Sequence, residues 1–288
     1  MKHLRLAGAA MLALTTPAVA SAAHFYAVDE QNKLVSFSSS APDTFNSEMT
    51  ISGTSATFLA LDFRPLNGML YGLADDLKLY SIDTATAVAT AVSAAPLAVM
   101  GSNFGFDFNP TIDRIRLVSN TGQNYVVNPV NGELQLVATP LSYAAGDANE
   151  GASPLVTANA YTPSVFGAPG GTTQLYSIDY GLDVLAKQNN NGGVLNSVGS
   201  LGFNVGPRDS FDIDGYGQGY ALDGNTLFSI DLDSGALTKV GNTSRSLYAL
   251  AAAPVPEPAT WAMMISGFAL LGSALRRRSI RGKMPAFG

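Results

Sequence analysis

Short strands of alternating apolar and polar residues recur along the chain, and their first residues stand 45 to 52 positions apart. Alternation with a period of two is typical of β-strands that bury one face. Each copy is followed by a turn rich in Asp, Asn, Gly or Pro and then by another short strand. The copies begin at Leu34, Leu79, Tyr125, Leu175 and Leu227.

A second set of short apolar segments precedes these copies. It comprises residues 59–63, 104–108 and 210–213, with a degenerate member at 158–162. A middle strand, such as residues 69–73, separates the two sets. The repeating unit is therefore four short strands in about 45 to 50 residues, which is typical of a β-propeller blade.

The two ends of this region predict that the blades close into a ring. Residues 25–28 match a middle strand that has no inner strand before it, and residues 247–252 match an inner strand that no blade follows. We predict an all-β fold over residues 23–254, a propeller of five four-stranded blades closed by the C-terminal strand. The sequence also allows a six-bladed ring or an open array, because residues 140–154 and 163–173 fit no strand of the repeat.

One segment in the middle of the chain, residues 105–124, reads GFDFNPTIDRIRLVSNTGQN. It resembles the hallmark segment of a bacterial secreted family known as domain of unknown function 4394. The resemblance extends from about residue 25 to residue 253. It implies a repeat-built β architecture and brings no established activity, so no catalytic residue is carried over.

The C-terminal tail predicts a transmembrane helix. Residues 259–275 carry no charge, and a helix of 17 residues covers roughly 26 Å, enough for a thin bilayer core. The two prolines in residues 255–258 predict an extended linker before it. The basic end, residues 276–288, begins with three arginines that favour the cytoplasmic side.

The order of Pro256-Glu257-Pro258, an apolar span and Arg276-Arg277-Arg278 resembles the PEP-CTERM sorting signal of Gram-negative bacteria. The resemblance implies recognition by an exosortase, a membrane-embedded cysteine transpeptidase-like enzyme, followed by removal of the tail. The propeller is then delivered to the cell surface or to an exopolysaccharide matrix. The residues after Arg278 depart from the family pattern, in which the signal usually stops soon after the arginines.

The N-terminus predicts export through the inner membrane. A basic start, an apolar segment over residues 6–14 and the small residues Ala20 and Ala22 are typical of a signal peptide over residues 1–22. Between this segment and the apolar span the chain has 22 acidic and nine basic residues, a net charge of −13. Such a surface repels nucleic acid and favours neutral or cationic partners.

The composition excludes several kinds of catalysis. The chain has no cysteine, so thiol catalysis, cysteine–metal sites and iron–sulfur clusters are excluded. It has only two histidines, and His3 lies in the predicted signal peptide. Triads that need a histidine base and zinc sites with several histidines are therefore not expected.

Asp62, Asp107 and Asp212 occupy equivalent positions in three inner strands, which line the channel of a propeller. Three converging carboxylates can bind a divalent cation such as calcium, or act as acid and base on a sugar. The alternative is structural: each aspartate accepts hydrogen bonds from backbone groups of a neighbouring turn. We favour that alternative, because alanines, Ala160 and Ala251, stand at the matching positions of the other two inner strands.

Other polar residues have simpler explanations. Hairpin turn chemistry accounts for most of the aspartates between residues 209 and 233, although calcium binding there is conceivable. Arg114 and Arg116 have two interpretations. They either form a basic site for an anionic ligand, or they lie on an exposed face of the strand and form an ion pair with Asp113. The run at residues 189–193 predicts a flexible loop tip.

We therefore expect an exported, non-enzymatic propeller of the envelope or extracellular matrix, processed by exosortase and associated with exopolysaccharide. No catalytic residue and no cofactor is predicted. Three alternatives stay open: a carbohydrate-active hydrolase that uses the channel carboxylates, a calcium-stabilised adhesin, and a periplasmic protein that an uncut tail tethers to the inner membrane.

Overall fold

The predicted repeat folds into five β-sheets within residues 22–162 and 173–254, the part of the chain that the computed structural model describes. In chain order the strands are β1 (His24–Asp29), β2 (Lys33–Ser38), β3 (Ala41–Thr50), β4 (Phe58–Phe63), β5 (Leu70–Ala74), β6 (Leu79–Ile82), β7 (Ala89–Ala91), β8 (Phe104–Asn109), β9 (Arg114–Ser119), β10 (Asn124–Val127), β11 (Leu134–Val137), β12 (Ser142–Tyr143), β13 (Val156–Thr162), β14 (Gln174–Asp179), β15 (Val184–Gln188), β16 (Val194–Ser200), β17 (Ser210–Ile213), β18 (Gly219–Asp223), β19 (Thr226–Ile230), β20 (Leu237–Asn242) and β21 (Leu247–Ala252).

The five sheets are the blades of one ring. From the inside outwards, blade 1 is β21-β1-β2-β3, blade 2 is β4 to β7, blade 3 is β8 to β11, blade 4 is β13 to β16, and blade 5 is β17 to β20. Each inner strand contacts the inner strands of both neighbouring blades, and β21 lies between β17 and β4. The prediction of an all-β, five-bladed propeller is confirmed.

The C-terminal strand closes the ring as the sequence predicted. β21 pairs antiparallel with β1, so that Phe25 lies opposite Ala252. The backbone N–H of Ala253 donates to the carbonyl of His24 at 2.8 Å and extends the pairing by one step. Because β1 and β21 come from opposite ends of the domain, their pairing joins the two ends of the chain in one blade and closes the ring.

Blade 4 differs from the arrangement that the repeat predicted. The copy that begins at Leu175 forms β14, the second strand of its blade, whereas the copies at Leu79 and Leu227 form third strands. β14 pairs directly with the inner strand β13, and Tyr176 lies opposite Ala160. The assignment of this copy to a third strand was wrong, because apolar–polar alternation is the same in either position.

A fifth strand explains part of the 140–154 segment. β12 pairs in parallel with β16 and adds an outer strand to blade 4. The following turn is held by Asp147, whose carboxylate accepts hydrogen bonds from the backbone N–H and the hydroxyl of Ser197, both at 2.7 Å. The segment thus covers the outer edge of the blade.

The hydrophobic core lies between the faces of adjacent blades. Aromatic rings meet there edge to face: Tyr71 of β5 lies 5.3 Å from Phe108 of β8, and Phe25 of β1 lies 4.9 Å from Tyr220 of β18. Burial of such rings is the main source of stability in a chain without disulfides.

Nothing in the described part of the chain is a helix that could span a bilayer. The predicted helix at 259–275 and most of the predicted signal peptide lie outside the described residues.

Replacing Phe25 by alanine should lower the free energy of unfolding by roughly 3–5 kcal/mol, because the ring is fully buried where blade 1 meets blade 5. Urea unfolding measures this loss. The matched control is Val130→Ala in a turn where the side chain is 70% exposed, which should change stability by less than about 0.5 kcal/mol. Equal losses in the two variants would contradict the packing described here.

Candidate functional site

Three aspartates from three blades meet in the central channel. Asp62 lies in β4, Asp107 in β8 and Asp212 in β17, and each is at most 4% exposed. One carboxylate oxygen of each lies within 4.8 Å of the corresponding oxygens of the other two. Within the described residues, no other group of three or more His, Asp or Glu side chains comes together in this way.

Each of these carboxylates also ties its strand to the next inner strand around the ring. Each accepts a hydrogen bond from a backbone N–H group of that strand, at distances of 2.7, 3.2 and 2.6 Å. The donors, in the order of the aspartates, are Phe108, Tyr161 and Ala252. The partner is therefore an adjacent inner strand, and not the neighbouring turn considered in the sequence analysis.

These bonds occur at the same position of the repeat in each strand. Phe108, Tyr161 and Ala252 each follow the residue that matches the aspartate position in their own strands. Ala160 and Ala251 occupy that position in β13 and β21, and an alanine cannot bond to the next strand. Three of the five junctions around the channel are thus bridged by a carboxylate.

Burial makes the three negative charges costly. It raises the pKa of Asp62 and of Asp107 well above the usual range, and repulsion from the other channel aspartates raises both further. Burial also raises the pKa of Asp212, to about 7. Three carboxylates this close do not all stay ionised unless a cation lies among them.

One oxygen of the cluster has no partner. Oδ2 of Asp62 accepts a hydrogen bond from the backbone, whereas its buried Oδ1 has no hydrogen-bond partner. None of the ion pairs among the described residues involves the three channel aspartates. An unpaired buried carboxylate oxygen is unfavourable, so this atom requires a proton, a water molecule or a cation.

A second polar group lies further up the channel, and the sequence analysis did not identify it. The side-chain amide of Asn159, the hydroxyl of Ser210 and Oδ2 of Asp209 all lack partners there. They line a cavity that offers about 20 Å³ to the centres of water molecules, enough for one water. Asn159 comes so close to blade 3 that a Cβ at Gly105 would lie 2.7 Å from its amide oxygen.

Asp209 is the titratable residue of this second group. Its Oδ1 accepts a hydrogen bond from the Thr157 hydroxyl at 2.5 Å. Burial raises the pKa of Asp209 to about 8. The sequence analysis grouped Asp209 with the turn aspartates, and only its position three residues before Asp212 could have indicated a place in the channel.

Two other aspartates of blade 5, Asp231 and Asp214, hold turns. Oδ1 of Asp231 accepts hydrogen bonds from the backbone N–H groups of Asp233 and Ser234, at 2.9 and 3.0 Å. Oδ1 of Asp214 does the same for Tyr216 and Gln218. Turn chemistry thus explains these side chains, as the sequence indicated.

Arg116 differs from both interpretations of the sequence, because it is buried and does not pair with Asp113. Its guanidinium donates to Oδ1 of Asn124 and Oδ1 of Asn191, both at 2.8 Å. Asp113 instead pairs with Arg64 of the preceding blade. The 189–193 run is therefore not a free loop tip, since it docks blade 4 onto blade 3.

The residues of the two export signals lie almost entirely outside the described residues. This holds for Pro256, Glu257, Pro258, Arg276, Arg277, Arg278 and Ala20. Ala22 is the first described residue and is exposed.

Fold and channel together define a five-bladed β-propeller with an acidic channel. The profile of the family described as "Domain of unknown function (DUF4394)" matches residues 33–251, so the chain belongs to this family. The PEP-CTERM protein-sorting motif matches residues 254–278. This motif implies export across the membrane in Gram-negative bacteria and recognition by an exosortase.

Two solved structures are similar to this chain at low sequence identity, and the first of them shares its fold. A chain of a nidogen/laminin complex is 11% identical with a TM-score of 0.51, over 82% of this chain and 100% of that one. A structural genomics protein of unknown function from Bacteroides thetaiotaomicron VPI-5482 is 13% identical with a TM-score of 0.46, over 75% and 56%. The comparison with curated proteins gives no match.

Replacing Asp209 by asparagine should stabilise the protein at pH 8 and have little effect at pH 4. Between the ordinary pKa of 3.8 and the folded value of about 8, the folded protein holds a proton that the unfolded chain has released. The free energy of unfolding of the unmodified protein therefore falls as the pH rises through this window. The variant has no carboxyl group at this position, so its stability does not fall for this reason.

Thermal unfolding between pH 4 and 9 in the presence of EDTA measures the effect. Asp233→Asn, which makes the same change on an exposed turn, is the control. A difference between Asp209→Asn and the unmodified protein that does not vary with pH would refute the expected titration.

Proposed function

We propose that this protein is a non-enzymatic component of the envelope or extracellular matrix, cut from its membrane tail by exosortase. The observation that carries the proposal is the PEP-CTERM motif at residues 254–278, which begins two positions after the closing strand β21. The folded ring thus ends where the sorting signal starts. In this proposal the signal peptide, residues 1–22, is removed and the propeller is released as one domain.

The channel supports a structural or binding role over glycoside hydrolysis. A hydrolase must bring a sugar ring between two carboxyl groups in an open cleft. Here the three carboxylates are at most 4% exposed, and the cavity above them has room for a single water molecule. His24, the one histidine outside the predicted signal peptide, lies at the start of β1, which is the second strand of its blade and not an inner strand.

The net charge of the exported chain restricts the class of polysaccharide that we propose as its partner. The exported part of the chain has a net charge of −13, which repels anionic polysaccharides as it repels nucleic acid. We therefore favour a neutral or cationic exopolysaccharide. Six of the protein's tyrosines at repeat positions are buried between blades and are not available for stacking on sugars: Tyr71, Tyr80, Tyr125, Tyr161, Tyr176 and Tyr248.

Expression in hosts with and without exosortase tests the sorting proposal by intact mass and cell fractionation. With exosortase, the protein should lose everything beyond the Pro256-Glu257-Pro258 region and leave the membrane fraction. A variant with alanine at these three positions should stay uncut, whereas Glu133→Ala on the propeller surface should be processed normally. An uncut chain in the membranes of both hosts would leave a tethered periplasmic propeller instead.

Co-sedimentation of the released protein with exopolysaccharide from its own host tests the matrix proposal. We expect retention that persists in high salt, because a neutral polysaccharide offers no charge for salt to screen. The polysaccharide should keep its length, and release of new reducing ends over time would instead support the hydrolase alternative.

A further inference from the structure

The spacing of the channel carboxylates matches the coordination sphere of calcium. Calcium–oxygen distances are about 2.3–2.6 Å, so two ligands on opposite sides of the ion stand up to about 5 Å apart. Three oxygens spaced evenly around one calcium ion stand up to about 4.5 Å apart, so oxygens within 4.8 Å of one another can all contact the ion after shifts of at most a few tenths of an ångström. Magnesium, with distances of about 2.0–2.1 Å, reaches only oxygens closer than about 4.2 Å.

The unpaired oxygen of Asp62 is an independent indication that the channel binds a ligand. Oδ1 of Asp62 is buried and finds no partner within the described residues, although the residue is only 2% exposed. A carboxylate oxygen in such a place is normally bonded. We propose that Asp62, Asp107 and Asp212 bind one divalent cation of the calcium class in the channel.

The three carboxylates are held in place before the ion arrives. Each carboxylate is fixed by a backbone N–H group of the next inner strand, so its rotamer is set by the ring itself. The second oxygen of Asp62 stays free of any donor. Ligands that are already ordered lose little conformational freedom when an ion binds.

The cavity above the aspartates offers two further oxygens, the hydroxyl of Ser210 and a water molecule. Calcium takes six to eight oxygens, more than three carboxylates provide when each contributes one. Ser210 lies two residues before Asp212 on the same strand, and alternation places both on the channel face. Its hydroxyl has no partner and borders the space for a water molecule.

The bound ion would connect blades that are not all neighbours in the ring. Asp62 and Asp107 belong to blades 2 and 3, and Asp212 belongs to blade 5, on the other side of the closing strand β21. The ion therefore links both sides of the closure and should stabilise the ring against opening there.

The test uses the exported protein, freed of metal with EDTA and titrated with calcium chloride at pH 7.5. Native mass spectrometry should count one calcium per chain, and calorimetry should show a single site. At a calcium concentration 100-fold above Kd, Tm should rise by roughly 5–10 °C. Magnesium chloride at the same concentration should raise it much less.

The variant Asp107→Asn separates ion binding from the structural role of the carboxylate. Asparagine keeps an oxygen that can accept from the N–H of Tyr161, but it removes one ligand charge. Calcium binding should weaken by at least about tenfold. In EDTA the variant should unfold no lower than the unmodified protein, which shows that a lost calcium response does not come from misfolding.

Asp233→Asn is the matched control, because it makes the same chemical change on an exposed turn and should keep the full calcium response. If the unmodified protein binds no calcium and its Tm does not move, the aspartates hold protons alone and the proposal is wrong. It is equally wrong if calcium binding survives in both Asp62→Asn and Asp107→Asn, since the ion then lies elsewhere.

Discussion

The pairing of β21 with β1 is the constraint on which the rest of the structure depends. β21 fills the gap between the inner strands of blades 5 and 2, and without it the ring is open at that point. The channel exists only in the closed ring. Asp212 reaches Asp62 across this closure, and the donor to Asp212 is the backbone of β21 itself, at Ala252.

Within the channel, the same three side chains combine a structural role with the proposed binding role. One oxygen of each aspartate satisfies a backbone N–H of the neighbouring strand, which would otherwise be buried without a partner. The other oxygen of Asp62 has no partner, whereas the other oxygen of Asp212 accepts a hydrogen bond from the backbone N–H of Ile213 at 2.6 Å. The two explanations weighed from the sequence therefore do not compete, because the bonds that orient the carboxylates also bring their remaining charge together.

The sequence favoured five blades, a closed ring and three equivalent aspartates, because each follows from a local pattern repeated at a nearly fixed interval, although it left a six-bladed ring and an open array as alternatives. It was insufficient where position depends on distant neighbours. The copy at Leu175 has the same alternation as a third strand but pairs as a second strand. Asn191 lies 75 residues from Arg116, and nothing in either segment indicates that they meet. Asp209 resembles a turn aspartate until the ring places it beside Thr157.

Both ends of the propeller leave the ring from the same sheet, where Ala253 bonds to His24. The tail continues directly from β21, so any pull along the chain between an anchored C-terminus and the body of the domain acts first on that strand. The mechanical strength of the attached protein is then set by the hydrogen bonds between β21 and β1, and not by the four blades formed from continuous stretches of chain. A contact across the pairing of β21 with β1 therefore strengthens the place where the domain would begin to unfold under force.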